Sequence, residues 1–275
     1  MLNLFVADLK RILKDKLLIA IILCCIGFAI FTPALNKGLE FVYTDILEME
    51  EGLGIYAITV IPTAFAPLGD FGLIISILMV IIIRKDFNYG TIRNKIIAGN
   101  SRFKIYLSTS LASAVFVCIT MLIYSIIMLL FSTMMFDFAP SGEMSKAIPY
   151  AILTILFGVL FYFCITAILM FMSLIFKNSA ISIIIYIVLL FVVQIVLGIA
   201  VGVSEGLTQE GGYKGIVNFI DFLCKCNPYY LQAYVFPADI EYYKSDIVAC
   251  ILTPIVWSVV VSAFGFIIFR KKDLK

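Results

Sequence analysis

An all-α integral membrane protein is the fold class this sequence predicts, and three observations predict it. Of 275 residues, 63% are hydrophobic and 14% are charged, with a mean hydropathy of +1.11. Soluble domains carry about 25% charged residues, and a chain of this length could not hide so much apolar surface from water. The charged residues fall in clusters that separate six apolar runs. The basic residues are also distributed unevenly about those runs, as they are in membrane proteins of fixed orientation.

Taken in order, residues 1–16 predict an interfacial amphipathic helix. Leu2, Phe5, Val6, Leu9, Ile12 and Leu13 share one face at helical spacing, and Asp8, Lys10, Arg11, Lys14 and Asp15 share the other, with Leu4 the exception. The first apolar run lies between Lys16 and Asn36 and is long enough to cross about 30 Å of hydrocarbon. It is long for the core of a signal peptide, and Pro33-Ala34-Leu35-Asn36 is not a small-residue cleavage site. The second run, 52–83, is interrupted by Asp70; the others are 105–136, 147–176, 178–204 and 247–269. The third and fourth exceed the ~20 residues a span requires and are expected to tilt, kink or project beyond the bilayer. No soluble domain or repeat stands out, so residues 1–275 read as one transmembrane domain.

Orientation follows from charge. Fifteen of the twenty Lys and Arg lie in residues 1–16, 84–104, 177 and 270–275; the others are Lys37, Lys146, Lys214, Lys225 and Lys244. The positive-inside rule then predicts six spans with both termini in the cytoplasm.

The 84–104 loop holds more than topogenic charge. Ile92, Ile96 and Ile97 give a short helix one apolar face, Gly99 is placed to end it, and Arg93 and Lys95 project elsewhere. Such a face needs a protein or lipid surface to cover it. The stretch Asp86-Phe87-x-x-Gly90-Thr91-Ile92-Arg93-Asn94-Lys95, followed by Gly99-x-Ser101-Arg102 and Ile105-Tyr106, resembles the cytoplasmic loop of bacterial ABC-2 transporter permeases. In that family an acidic residue and an aromatic precede a Gly-Thr-Ile/Val-Arg/Lys-Asn run and a Gly-x-Ser-Arg turn; Asp86 stands where Glu is frequent.

The resemblance implies the membrane half of an ATP-driven exporter in the bacterial cell membrane, paired with a second permease chain. It implies that Asp86, Phe87, Gly90, Thr91, Ile92, Arg93, Asn94, Lys95, Ile96, Ile97, Gly99, Ser101 and Arg102 couple to a separate ATP-binding cassette subunit. That partner would bind ATP and Mg, leaving this chain without a cofactor and without enzyme activity of its own. The resemblance also implies short re-entrant helices in the outer segment, residues 205–245, which is Gly-rich at first and then aromatic.

The residues agree with a membrane half. Gly206 and Gly211 have the glycine spacing of a Walker A loop, but Gly212 and Tyr213 follow where Lys and Ser or Thr are required. There is no histidine, which excludes imidazole acid–base chemistry and imidazole metal ligands. Cys24, Cys25, Cys118, Cys164 and Cys250 lie in apolar runs, where a thiol acts as a small hydrophobe. Cys224 and Cys226 are too close for an easy disulfide and match no zinc pattern.

The spans are almost free of charge. Their polar atoms are hydroxyls and an amide, among them Thr120, Ser125, Tyr162, Thr166, Ser182, Tyr186 and Gln194, expected for the most part to bridge helices. An apolar lining points to a hydrophobic or amphipathic cargo. A peptide toxin or bacteriocin-like peptide is the first expectation, with lipids, drugs and ions as the alternatives. Asp70, Phe219 and Phe222 are the candidates for the cargo path. An ATP-independent transporter or channel would instead show paired intramembrane charges, and only Asp70 is available. A membrane-embedded enzyme would need a catalytic pair, and none is evident.

Overall fold

In the bilayer each backbone polar group must be satisfied within the protein, which favours long helices for an apolar chain. The computed structural model describes residues 2–42, 55–140, 144–176, 178–210, 213–235 and 240–272, and among these there is no strand. The elements are α1 (Leu2–Leu13), α2 (Leu17–Phe41), α3 (Ala57–Val60), a 3-10 turn (Ile61–Phe65), α4 (Asp70–Asn88), α5 (Thr91–Ile97) and α6 (Arg102–Met135). They continue with α7 (Met144–Ile175), α8 (Ser179–Glu210), α9 (Lys214–Lys225), α10 (Pro228–Tyr230), a π-helical turn (Leu231–Val235) and α11 (Ile240–Lys271). Within α2, α6, α7, α8 and α11, five stretches are long and apolar enough to cross a membrane. The chain is an all-α, multi-pass membrane protein.

The second apolar run differs from its five companions, for a local reason. Ala66 precedes Pro67 and is extended, with φ −66° and ψ 122°, as the clash with a proline ring demands. Helical structure therefore stops there and restarts at Asp70 behind Gly69. α4 has 19 residues but carries Arg84, Lys85 and Asp86 near its end. The run is thus α3, a 3-10 turn, a break and α4 instead of one continuous span. The break is covered: Val60, Ile61, Ala64, Phe65 and Phe71 are all buried, packed on α6 and α7. Irregular backbone inside an apolar bundle survives only under such cover.

Two glycines make that cover possible. A Cβ at Gly158 of α7 would lie 2.3 Å from the Phe65 ring, and one at Gly72 would lie 2.2 Å from the Tyr162 hydroxyl. Small residues let helices and rings approach this closely. Phe71 stacks on Tyr124 with centroids 4.6 Å apart, and Tyr186 meets Ser76 at 3.3 Å between their oxygens. Ser182 of α8 reaches the Met172 carbonyl of α7 at 3.5 Å as well as that of Asn178 in its own helix region, while three other span hydroxyls do not bridge helices. Thr120, Ser125 and Thr166 donate to carbonyls three or four residues back in their own helices, the local partner always within reach of a short hydroxyl. All seven cysteines are free thiols.

Beyond α8 the chain turns back. α9 packs along α8, and α10 touches α8, α9 and α11. Asn227 caps α10, accepting the Tyr229 N–H at 2.9 Å, with Pro228 at the first helical position. Tyr229 is buried and meets Phe161 edge-on at 5.4 Å. α11 fastens the end of α9: Trp257 Nε1 donates to the Cys226 carbonyl at 2.8 Å and Thr253 to that of Lys225 at 3.2 Å. Lys225 pairs with Asp221 at 3.1 Å and Asp246 at 2.9 Å. Its burial favours the neutral amine, but those carboxylates outweigh it and hold the ammonium above its usual range. Residues 211–212 and 236–239 of the outer segment lie outside the described residues.

Candidate functional site

The richest polar chemistry gathers where α1, the end of α4, α5, the start of α6 and the ends of α7 and α11 converge. The residues of the 84–104 loop build this end of the molecule. Gly90 precedes α5 at φ 68° and Gly99 follows it at φ 83°, left-handed conformations that favour glycine. Gly99 N–H returns to the Ile96 carbonyl at 2.9 Å and Asn100 N–H to that of Lys95 at 3.2 Å, closing the helix where the sequence predicts. Ser101 then caps α6, accepting the Lys104 N–H at 3.4 Å.

α1 lies against this loop through three ion pairs. Asp8 meets Lys95 at 2.5 Å, Arg11 meets Asp86, and both Asp15 oxygens meet Lys85 at 2.8 Å. Asp8 also accepts from Ser108 at 2.5 Å and is only 2% exposed. Asp15 in addition accepts the first N–H of α2 from Leu17 at 3.0 Å, fixing the α1–α2 joint. Burial tends to raise the Asp15 carboxyl, but the Leu17 N–H, Lys85 and Arg11 together hold it below the usual carboxylate range. Burial lowers Lys95 from its ordinary value against the pull of Asp8, and it lowers Arg11 likewise.

Three further cations cap helix ends. Arg84 donates to the Ser173 carbonyl at 3.1 Å and Lys272 to that of Leu174 at 2.5 Å, both at the C-terminus of α7. Arg102 donates to the Arg270 and Lys272 carbonyls at 2.6 and 3.1 Å, at the end of α11. These carbonyls have no helical N–H to accept, and cations suit the negative end of the helix dipole. The Phe87 ring lies between Arg84 and Lys272, each 5.4 Å from its centre, and meets Phe269 edge-on at 6.3 Å.

The residues expected to face a partner therefore divide. Asp86 and Phe87 turn inward, and Ile92 is 3% exposed in a cluster with Ile83, Ile105, Tyr106, Leu174 and Phe269. Ile96 packs against the same cluster and Leu4 joins it, which explains its exceptional place on the α1 wheel. The expected common face of three isoleucines is thus corrected: Ile92 and Ile96 are covered by this chain, and Ile97 stands 74% exposed. Lys95 and Arg102 are half-buried and engaged internally; Arg93, Asn94, Gly99 and Ser101 are exposed, and Gly90 and Thr91 half-buried.

The cargo-path candidates are at the other end. Asp70 is the first residue of α4, and its side chain lies outside the described residues. Phe219 and Phe222 are 61% and 63% exposed on α9. Sequence reasoning missed the ion-pair ladder. Its signal was present: Asp8, Arg11 and Asp15 alternate in sign at one-turn spacing, matching Lys95, Asp86 and Lys85. The family model described as protein of unknown function (DUF2705) matches residues 17–275. No curated protein matches the chain.

Proposed function

The chain belongs to the DUF2705 family, whose description carries no activity, and on the geometry of its loop end we propose that it is the transmembrane permease subunit of an ATP-driven exporter. The observation that carries this reading is the outer edge of α5. Ile97 is 74% exposed beside Arg93 and Asn94, with Tyr89 and Phe103 exposed at either side of the helix. The ladder from α1 holds that edge in place, so it offers a preformed surface to a partner, with little ordering cost on binding. The resemblance of the loop to ABC-2 permeases supports a separate ATP-binding cassette subunit as that partner, supplying ATP, Mg and hydrolysis.

In this reading α3, the 3-10 turn and α4 make a sixth crossing, both termini are cytoplasmic, and α9–α10 is a re-entrant segment on the outer side. Two such chains pair to form the cargo path. The near-absence of charge in the spans supports a hydrophobic or amphipathic cargo, a peptide first, with Asp70, Phe219 and Phe222 as its contacts.

The test is Ile97→Asp. Ile96, the more obvious choice from sequence, packs on the inner cluster, so its replacement would mix misfolding with loss of docking. Burying one aliphatic side chain contributes ~1.5–3 kcal/mol, enough to change partner affinity by an order of magnitude or more. Ile97→Asp is expected to retain membrane insertion and thermal stability but lose co-purification of the ATP-hydrolysing subunit. Arg93→Ala is expected to do less, as rim charges contribute little. Full partner binding and full export by Ile97→Asp would refute the docking role and favour a helix resting on lipid.

A further inference from the structure

The ion-pair ladder leaves a charge of one sign on the outer side of α1. Residues 1–16 contain two acids, Asp8 and Asp15, and both are turned inward to Lys95 and Lys85. Arg11 is answered by Asp86 in the same way. Lys10, Lys14 and Lys16 remain exposed and form no ion pair among the described residues. Leu2 and Val6 precede Lys10 and Lys14 at four-residue steps, on one row of the helix, and are 76% and 39% exposed. Exposed apolar and exposed cationic side chains at neighbouring positions of one helix match the boundary between hydrocarbon and phosphate.

The adjacent row of α1 leads inward. Leu9 and Leu13 line the start of a groove of about 380 Å³, which continues along α2 from Leu18 to Ile26 and along α6 from Phe116 to Ile127. No charged residue lines it, and its one hydroxyl, Thr120, donates to the Phe116 carbonyl of its own helix. Ile26 is ten residues beyond Lys16, or about 15 Å along a helix at ~1.5 Å per residue, half of a hydrocarbon core ~30 Å thick. The groove is therefore one leaflet deep. Two cations flank its mouth: Lys10 is a one-turn neighbour of Leu13, and Lys16 is two residues before Leu18. We propose that α1 and this groove bind one anionic phospholipid of the leaflet at the loop end, with its phosphate held by Lys10, Lys14 and Lys16 and one acyl chain lying in the groove. The lysines select the headgroup, because each cation at the membrane surface adds to the attraction for an anionic lipid, whereas a zwitterionic headgroup brings a cation of its own. The depth selects the tail. The proposal rests on the chain being embedded in a bilayer and is independent of the exporter reading.

The purified protein in detergent is incubated with equimolar phosphatidylglycerol and phosphatidylcholine of identical acyl chains, and the lipid bound per chain is counted by native mass spectrometry. About one retained lipid per chain is expected, with phosphatidylglycerol favoured over phosphatidylcholine by roughly tenfold or more. Lys10→Gln, Lys14→Gln and Lys16→Gln together are expected to remove that preference. Lys214→Gln, exposed on α9, is expected to leave it unchanged. Thr120→Phe fills the groove and is expected to lower retention of both lipids several-fold without changing their ratio. Ile22→Trp fills it from α2 and replaces that variant should it fail to fold. Equal retention of the two lipids by the parent chain, or a preference that survives the triple variant, would overturn the proposal. Retention unchanged by both filling variants would overturn it too, by leaving surface lipid only. Disulfide trapping between two chains that arises with Ile123→Cys alone would put a second copy in the groove and likewise overturn it.

Discussion

Asp8 shows what a single residue can hide. On a helical wheel it belongs to the polar face of the N-terminal helix, and polar faces are expected to meet water. In the structure it is almost fully buried and answered by Lys95, Ser108 and Thr109. The wheel records periodicity within one helix, and the alternating signs of Asp8, Arg11 and Asp15 mark a ladder without naming its other side, which for Asp8 is 87 residues away. A buried pair is strongly sensitive to loss of one member, because the other keeps its desolvation cost without its partner. Lys95→Ala is expected to destabilise the protein by about 3–5 kcal/mol. The double variant Asp8→Asn with Lys95→Met removes both charges while keeping an acceptor for Ser108, and is expected to recover most of that loss. Thermal unfolding in detergent measures both.

At the scale of elements, the long helices were legible because apolar length and composition alone dictate a span. The end of α5 was legible too, since Gly99 acts through local backbone geometry. The broken second run was not, although Pro62, Pro67 and Gly69 mark it in hindsight. Prolines within spans are common enough to be read as kinks, and the sequence does not reveal that Phe65 has a glycine-floored socket to occupy. That socket can be tested. Gly158→Ala pushes a methyl group into the Phe65 ring, and overpacking of this kind costs about 1–3 kcal/mol. The variant is expected to lower the unfolding midpoint. Gly202→Ala, where a Cβ meets nothing within 4 Å, is expected to leave it unchanged. Equal effects would mean that the socket contributes nothing to holding the break.

At the scale of the whole molecule, the uneven distribution of Lys and Arg predicts that the α5 end faces the cytoplasm. The exposed positions Asn94 and Tyr213 lie on α5 and just before α9. In a Cys226→Ser background, which removes the exposed native thiol, a membrane-impermeant maleimide applied to intact cells is expected to label Tyr213→Cys and spare Asn94→Cys. The reverse pattern would invert the topology and place the loop outside.

The fastening of the loop end by Lys272 and the last carbonyls of α11 has a further consequence, for the order of synthesis. Arg102 is made 170 residues before its acceptor Lys272, a delay on the order of 10 s at ~5–20 residues per second. Through that interval Arg102 and Phe87 lack their final partners, and the C-terminal carbonyls of α7 lack one of their two cations. The loop therefore reaches its finished form only when the last helix is in place. A chain truncated before α11 would present Arg102 and Phe87 without these contacts.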